Sequence, residues 1–215
     1  MRNGFFIVFE GADGSGKSTQ AEVLSSRLKG EGYRCCVTEE PGGTEVGALL
    51  RDIILDPEKQ ISQRTELFLF LADRAEHVNK IIKPSLDEGQ VVVSSRYFYS
   101  TLVYQGFARR LLPLPLLQRL NLFAVEDIVP NVIFYLDVHP EDGLEKATGR
   151  STNYEGGDRI EREGIELQRR VRKSYLSLAR RHKRQWVVLQ PERSIEDIGE
   201  LVYRETKRRI GDDRD

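Results

Sequence analysis

Residues Gly11-Ala12-Asp13-Gly14-Ser15-Gly16-Lys17-Ser18, followed by Thr19, satisfy the pattern G-x-x-x-x-G-K-[ST]. The glycines let the backbone curl until several N–H groups point at one phosphate. A helix starting directly behind adds its positive N-terminal end. In this pattern Lys17 reaches the β- and γ-phosphates and the Ser18 hydroxyl ligates Mg²⁺. Chance produces a match in roughly one chain per hundred of this length. The motif also lies between the apolar run Phe5–Phe9 and a helical pattern over 17–29, which is the context it requires. These features imply a nucleoside triphosphate site.

Two uses of such a site compete. An ATPase or GTPase needs a second strand ending in an acidic Mg²⁺ ligand. Asp137, after Val132-Ile133-Phe134-Tyr135-Leu136, ends a run of that form, although it also reads as the start of the turn before Pro140. A nucleotide kinase needs instead a second phosphate site, an arginine-bearing lid and a pocket for an acceptor base.

The elements that must hold these residues are legible from patterning. Short apolar, β-branched runs over 5–9, 34–38, 91–95, 132–137 and 186–189 read as strands of a mostly parallel sheet. Helical patterns cover 17–29, 45–55, 63–87 (interrupted at Pro84), 114–123, 141–147, 159–182 and 195–209. Alternating strands and helices predict an α/β fold with helices on both faces. Ligands in such folds sit at the carboxyl ends of the strands, so function is expected in the loops after strands one to four. The polar stretch 149–158, with Gly156-Gly157, reads as a mobile loop.

Composition bounds the rest. With 215 residues the chain is expected to form one domain, over 1–210, with a frayed tail at 211–215. Such a chain buries roughly 70% of its unfolded surface and needs no disulfides. Lys and Arg number 33 against 34 Asp and Glu, a net charge of −1, which argues against a general nucleic-acid binder. The basic runs 169–173 and 180–184 read as a solvated helix face. No run approaches the ~18 apolar residues of a membrane span. Met1-Arg2-Asn3-Gly4 leads straight into a strand, so no signal peptide and a cytoplasmic location are expected. Cys35 and Cys36 are adjacent, too close for the usual disulfide, and read as two thiols in a buried strand.

A set of short motifs decides between the two uses. Phe9-Glu10-Gly11, Glu40-Pro41-Gly42-Gly43-Thr44, Leu71-Ala72-Asp73-Arg74, Arg96-Tyr97 with Ser100-Thr101 and Tyr104-Gln105-Gly106, Phe134-Tyr135-Leu136-Asp137-Val138 with Pro140, and Asp158-Arg159-Ile160-Glu161 occur in this order. Together they resemble the thymidylate kinase family over about residues 5–175. The resemblance implies a P-loop kinase fold, a homodimer, and transfer of the ATP γ-phosphoryl group to dTMP with Mg²⁺.

It also implies roles for individual residues. Phe70 matches the aromatic that stacks on thymine, and Arg74, one helical turn on, the arginine on the thymine carbonyl. Read without the family, Phe70 is a core residue and Arg74 a surface ion pair. Arg96 matches the arginine that grips the acceptor phosphate, with Arg51 a second candidate; a planar fork suits phosphate. Tyr104 matches the tyrosine beside the sugar 2′ position, with Thr101 and Gln105 next to it. Pro41, Tyr97 and Ser100 belong to the same acceptor site. Glu10 and Asp13 match acidic positions at the phosphates or their Mg²⁺. Glu161 matches a glutamate near the acceptor phosphate. Arg150 and Arg159 are the cations of a lid spanning about 149–160. Members carry an arginine either inside the phosphate loop or in the lid; the loop position here is Gly14, which shifts that work to the lid. The loop 191–194 lies near the adenine by analogy.

Two positions depart from the family. Ser95 stands where Asp is usual, near the reacting phosphates, and implies a slower or rerouted kinase in which Glu10 takes over the Mg²⁺ contact and Ser95 holds a water. The alternatives are a catalytically weak nucleotide-binding paralogue or a kinase for another pyrimidine monophosphate such as dUMP, with an ATPase built on Asp137 third. Glu39 stands where many bacterial members have arginine.

Overall fold

The computed structural model describes residues 4–149, 154, 156–190 and 194–212. Five strands, β1 (Phe5–Gly11), β2 (Cys35–Glu39), β3 (Val91–Ser95), β4 (Val132–Leu136) and β5 (Trp186–Leu189), form one sheet in the order β2-β3-β1-β4-β5. Every neighbouring pair is parallel. The expected α/β sheet is present, with β1 at its centre.

Phe5–Phe9 lacks alternation because both of its faces are covered. Phe6 and Val8 face one core with Val92, Ile133 and Tyr97. Phe5, Ile7 and Phe9 face the other with Leu24, Leu28 and Phe134. Helix α1 (Lys17–Gly30) and α9 (Ile195–Asp212) cover that second face. On the first face lie α3 (Gln63–His77), α6 (Leu114–Ala124) and α8 (Ile165–Arg181); α2 (Glu45–Leu55) packs on α3, and α7 (Pro140–Thr148) on α8.

Four expectations are corrected. The helix over 63–87 is broken before Pro84, not at it. Val78–Ile82 forms a wide π-helical turn in which the Lys83 N–H reaches the Val78 carbonyl, and α4 (Lys83–Asp87) resumes with Pro84 in its first turn. Proline has no N–H and crowds the preceding turn, so the ladder rearranges just upstream. The helix over 159–182 is shorter: residues Glu161–Glu163 make one 3₁₀ turn, Gly164 takes φ 85°, and α8 begins at Ile165. Cys35 and Cys36 are free and only half-buried, because β2 is an edge strand. Gly211 and Asp212 continue α9 instead of fraying.

One element was absent from the sequence reading of the fold. Phe98–Thr101 is α5, and Leu102–Ala108 continues it as a π-helical turn. Phe98, Tyr99, Leu102, Val103, Tyr104 and Ala108 are all buried. A helix buried on every side shows no apolar stripe, so periodicity cannot reveal it.

Candidate active site

The phosphate loop leaves the end of β1 with Gly14 at φ 76° and Gly16 at φ 91°. A Cβ on Gly14 would lie 2.3 Å from the Gly143 carbonyl of α7. No side chain fits there, which accounts physically for the absence of a loop arginine. Lys17 opens α1 and donates from Nζ to the Ala12 carbonyl at 2.7 Å, with Asp13 Oδ1 at 4.0 Å. Ser18 and Thr19 are exposed at the helix start.

One cavity runs from this loop across the carboxyl ends of β1, β2 and β3. Its phosphate end is walled by Asp13, Lys17, Ser18, Ser95 and Arg96. Its other end is walled by Leu55, Phe70, Arg74, Thr101, Tyr104 and Gln105. Pro41, Arg51 and Glu39 close one side, and Asp158 and Ile160 the other, with Glu40 and Ser100 also reaching the cavity. Most of the acceptor-site residues singled out in the sequence therefore share one space.

Arg96 is held tightly. It occupies φ 72°, a conformation that costs a non-glycine residue about 1–3 kcal/mol. Its N–H donates to the Phe9 carbonyl at 2.8 Å, and Ser94 Oγ donates to its carbonyl at 2.7 Å. Its guanidinium donates to Asp13 at 2.6 Å and to Ser100 Oγ at 3.2 Å, and lies 5.7 Å from the Tyr104 ring centre. Burial acts to discharge it, but Asp13, Tyr104, Tyr175 and Glu10 outweigh that and hold its pKa well above the ordinary value.

Arg74 is buried rather than on the surface. Nε donates to Glu40 Oε2 at 2.8 Å, and Nη1 to Thr101 Oγ1 at 2.8 Å and Asn121 Oδ1 at 2.7 Å. Among the described residues, Nη2 has only the Tyr97 carbonyl, at 3.5 Å. Burial raises the Glu40 carboxyl, but Arg74 and His77 outweigh it and the net shift is downward. Beside it, Asp73 accepts from the Gly42 N–H at 3.0 Å; burial and the Glu40 charge push its pKa up to about 6. Arg51 donates to the Pro41 carbonyl at 2.5 Å and has Glu39 at 3.5 Å, so the unusual glutamate acts as a partner that holds Arg51 at the cavity.

The structure places other expected residues elsewhere. Glu10 is fully buried behind the cavity. Its carboxylate accepts from Tyr97 N at 3.1 Å, Ser100 N at 3.2 Å, Ser100 Oγ at 2.7 Å and Tyr175 OH at 2.7 Å. Burial raises its pKa. Tyr97 packs edge-on against Phe6 and donates to the Ile128 carbonyl. Glu161 accepts from the Asp158 N–H at 2.8 Å while Asp158 Oδ1 accepts from Glu161 N at 2.9 Å, a reciprocal cap of the short turn. Arg159 points away from the cavity, to Ile54 O and Glu66. Arg150 lies outside the described residues, as do 191–193 of the loop expected near the adenine. Asp137 has both oxygens held by Arg172, at 2.7 and 3.0 Å, and also accepts from Tyr135 OH. That leaves it poorly placed as a metal ligand and weakens the ATPase reading.

Glu66 and Asn121 were not singled out in the sequence, although both are buried beside the site. Glu66 sits in the apolar stripe of α3, before Leu67; a charge there was the available signal.

The thymidylate kinase family model matches residues 9–202. The chain belongs to the thymidylate kinase family. It is 41% identical over 204 residues to the thymidylate kinase of Halothermothrix orenii, covering 95% of this chain and 97% of the relative. It is 43% identical over 197 residues to that of Nitratidesulfovibrio vulgaris, covering 90% and 88%. Its fold matches the crystal structure of thymidylate kinase from Ehrlichia chaffeensis with a TM-score of 0.76 at 28% identity, over 95% of this chain and 99% of that one.

Proposed function

We propose that the protein transfers the γ-phosphoryl group of ATP to dTMP, giving dTDP and ADP. The observation that carries this is the single cavity joining the phosphate loop at Lys17 to the pocket of Phe70, Arg74 and Tyr104. An acceptor base lies against the Phe70 ring, where stacking contributes about 1–3 kcal/mol. The spare Nη2 of Arg74 and the Thr101 hydroxyl, whose oxygen already accepts from Arg74, leave hydrogens for base carbonyls. Tyr104 lies beside the sugar. Arg96 and Arg51 grip the acceptor phosphate. Lys17 leaves the Ala12 carbonyl for the β- and γ-phosphates, and Arg150, the remaining lid candidate, serves the transferring group, whose charge spreads over its oxygens.

Mg²⁺ needs only one or two protein oxygens when it also binds phosphates and water. Ser18 and Asp13 supply hard oxygens on the cavity wall, so the donor set fits. When bound, the ion would neutralise charge on the nucleotide phosphates. Glu10, enclosed by four donors, acts through the backbone of 97–100 and so positions Arg96.

The protein works as a homodimer in the cytoplasm. Val46, Leu49 and Ile53 form an exposed stripe on α2, and Phe68 lies exposed on the adjoining α3. Contiguous apolar surface of that kind marks an interface. Among the described residues no helix is long and apolar enough to cross a membrane.

The test is ADP release from ATP and Mg²⁺ with dTMP, dUMP, UMP, CMP, AMP or no acceptor. Fast turnover with dTMP alone is expected. Release that ignores the acceptor refutes the kinase reading.

A further inference from the structure

Arg159 carries the inference. Its neighbours Asp158 and Ile160 both face the cavity, while its own side chain turns the other way. There Nη2 donates to Glu66 Oε2 at 2.5 Å, Nε donates to the Ile54 carbonyl at 2.8 Å, and its backbone N–H donates to the Leu55 carbonyl at 3.0 Å. The segment 158–160 is thus pinned from behind.

The other oxygen of Glu66 serves the base end of the cavity. Oε1 accepts from Gln105 Nε2 at 2.6 Å and from Arg109. Gln105 lines the cavity, so this bond fixes which face of its amide a ligand meets. Arg109 in turn clasps Glu163, one turn beyond Arg159. Glu66 is 1% exposed, and two arginines offset its charge and that of Glu163. A buried charge network is stable in its complete form and costly in part. Movement of the 158–163 segment therefore reaches Gln105 through one carboxylate.

We propose that Glu66 is a positioning residue that couples the lid anchor at Arg159 to the acceptor-base pocket at Gln105. This rests on the reading of that pocket as the dTMP site. Arg159 then affects the nucleoside part of the acceptor without touching it.

Thymidine, which has no phosphate, separates that effect from direct contact with phosphates. The measurement is its inhibition constant against dTMP at fixed ATP, for the full chain and for Glu66→Gln, Arg159→Met, Arg159→Lys and the double variant Glu66→Gln/Arg159→Met, with melting curves alongside. Glu66→Gln and Arg159→Met should each weaken thymidine by roughly fivefold or more. The double variant should be no worse than the poorer single, since both cut one link. Arg159→Lys keeps a cation within reach of Glu66 and should recover most of the loss. If Glu66→Gln does not fold, the Arg159 variants at the partly exposed end of the link carry the test. Unchanged thymidine inhibition in a folded Arg159→Met, or additive losses in the double variant, overturns the coupling. No inhibition of the wild type by thymidine overturns the pocket reading itself.

Discussion

Arg96 Nη2 donates to Asp13 Oδ1 across 2.6 Å, and this bond ties the phosphate loop after β1 to the turn after β3. The donor end and the acceptor end of the site meet at that pair. Asp13 holds the fork in place, and the unusual backbone of Arg96 is fixed from two further sides.

Replacement of Arg96 by Lys should therefore remove the planar fork while keeping the charge. The expected loss in kcat/KM for dTMP is about 10²–10³-fold, the scale of one preorganised donor. KM for ATP should change far less, because the phosphate loop backbone is untouched. Steady-state kinetics with each substrate varied in turn check this; an unchanged kcat/KM for dTMP refutes the assignment.

Asp73 gives a prediction about stability. Its pKa is pushed up to about 6 by burial and by Glu40, against 3.8 for an ordinary aspartate. The folded state thus holds the proton more tightly than the unfolded state. Stability falls as pH rises from about 4 to about 6, and the full penalty stands above that window. Asp73→Asn keeps an oxygen for the Gly42 N–H and removes the charge. It should stabilise the protein at pH 8 by on the order of 2 kcal/mol, with the gain vanishing below about pH 4. Urea titrations at pH 4 and pH 8 check it; equal effects at both refute it.

The sheet and the phosphate loop were legible because their signals are local. Phe5–Phe9 is apolar throughout, Gly14 and Gly16 stand where positive φ is needed, and Lys17 opens a helix. The acceptor pocket was legible only through ordered motifs, since Phe70 and Arg74 alone look like core and surface. The second sphere was not legible. Glu66 and Asn121 are polar residues in helices, which pattern reading sends to solvent, and Arg159, matched to the lid, turns instead to Ile54 and Glu66. The bonds that tie them together span long stretches of chain, 47 residues for Arg74–Asn121 and 93 for Glu66–Arg159. The same holds for Glu10, whose oxygens are filled by Tyr97, Ser100 and the distant Tyr175.

Gly14 predicts a failed graft. The resemblance implies an arginine at this loop position in some family members; here α7 lies against the glycine. Gly14→Ala should cost about 1–3 kcal/mol through positive φ and the approach to Gly143. Gly14→Arg should lose kcat instead of gaining it. Thermal melts and kcat for both variants check this, and a Gly14→Arg enzyme faster than wild type refutes the steric account.

Ser95 offers the last prediction. It ends β3 between Phe9 of β1 and Glu39 of β2, and its side chain faces the cavity with Lys17 and Arg96. An aspartate there would stand near two cations but also near Asp13 and Glu40. A general base contributes about 10²–10⁴-fold in many enzymes, yet phosphoryl transfer draws mainly on positioning and electrostatics. On the proposed reading, Lys17 and Arg96 on the cavity wall provide those without a carboxylate at this position. Ser95→Asp should therefore leave kcat within a few-fold of wild type or raise it, with some loss of thermal stability from the buried charge. A collapse of kcat in a folded Ser95→Asp would mean that the hydroxyl does a job the carboxylate cannot, and that this site has been rebuilt around serine.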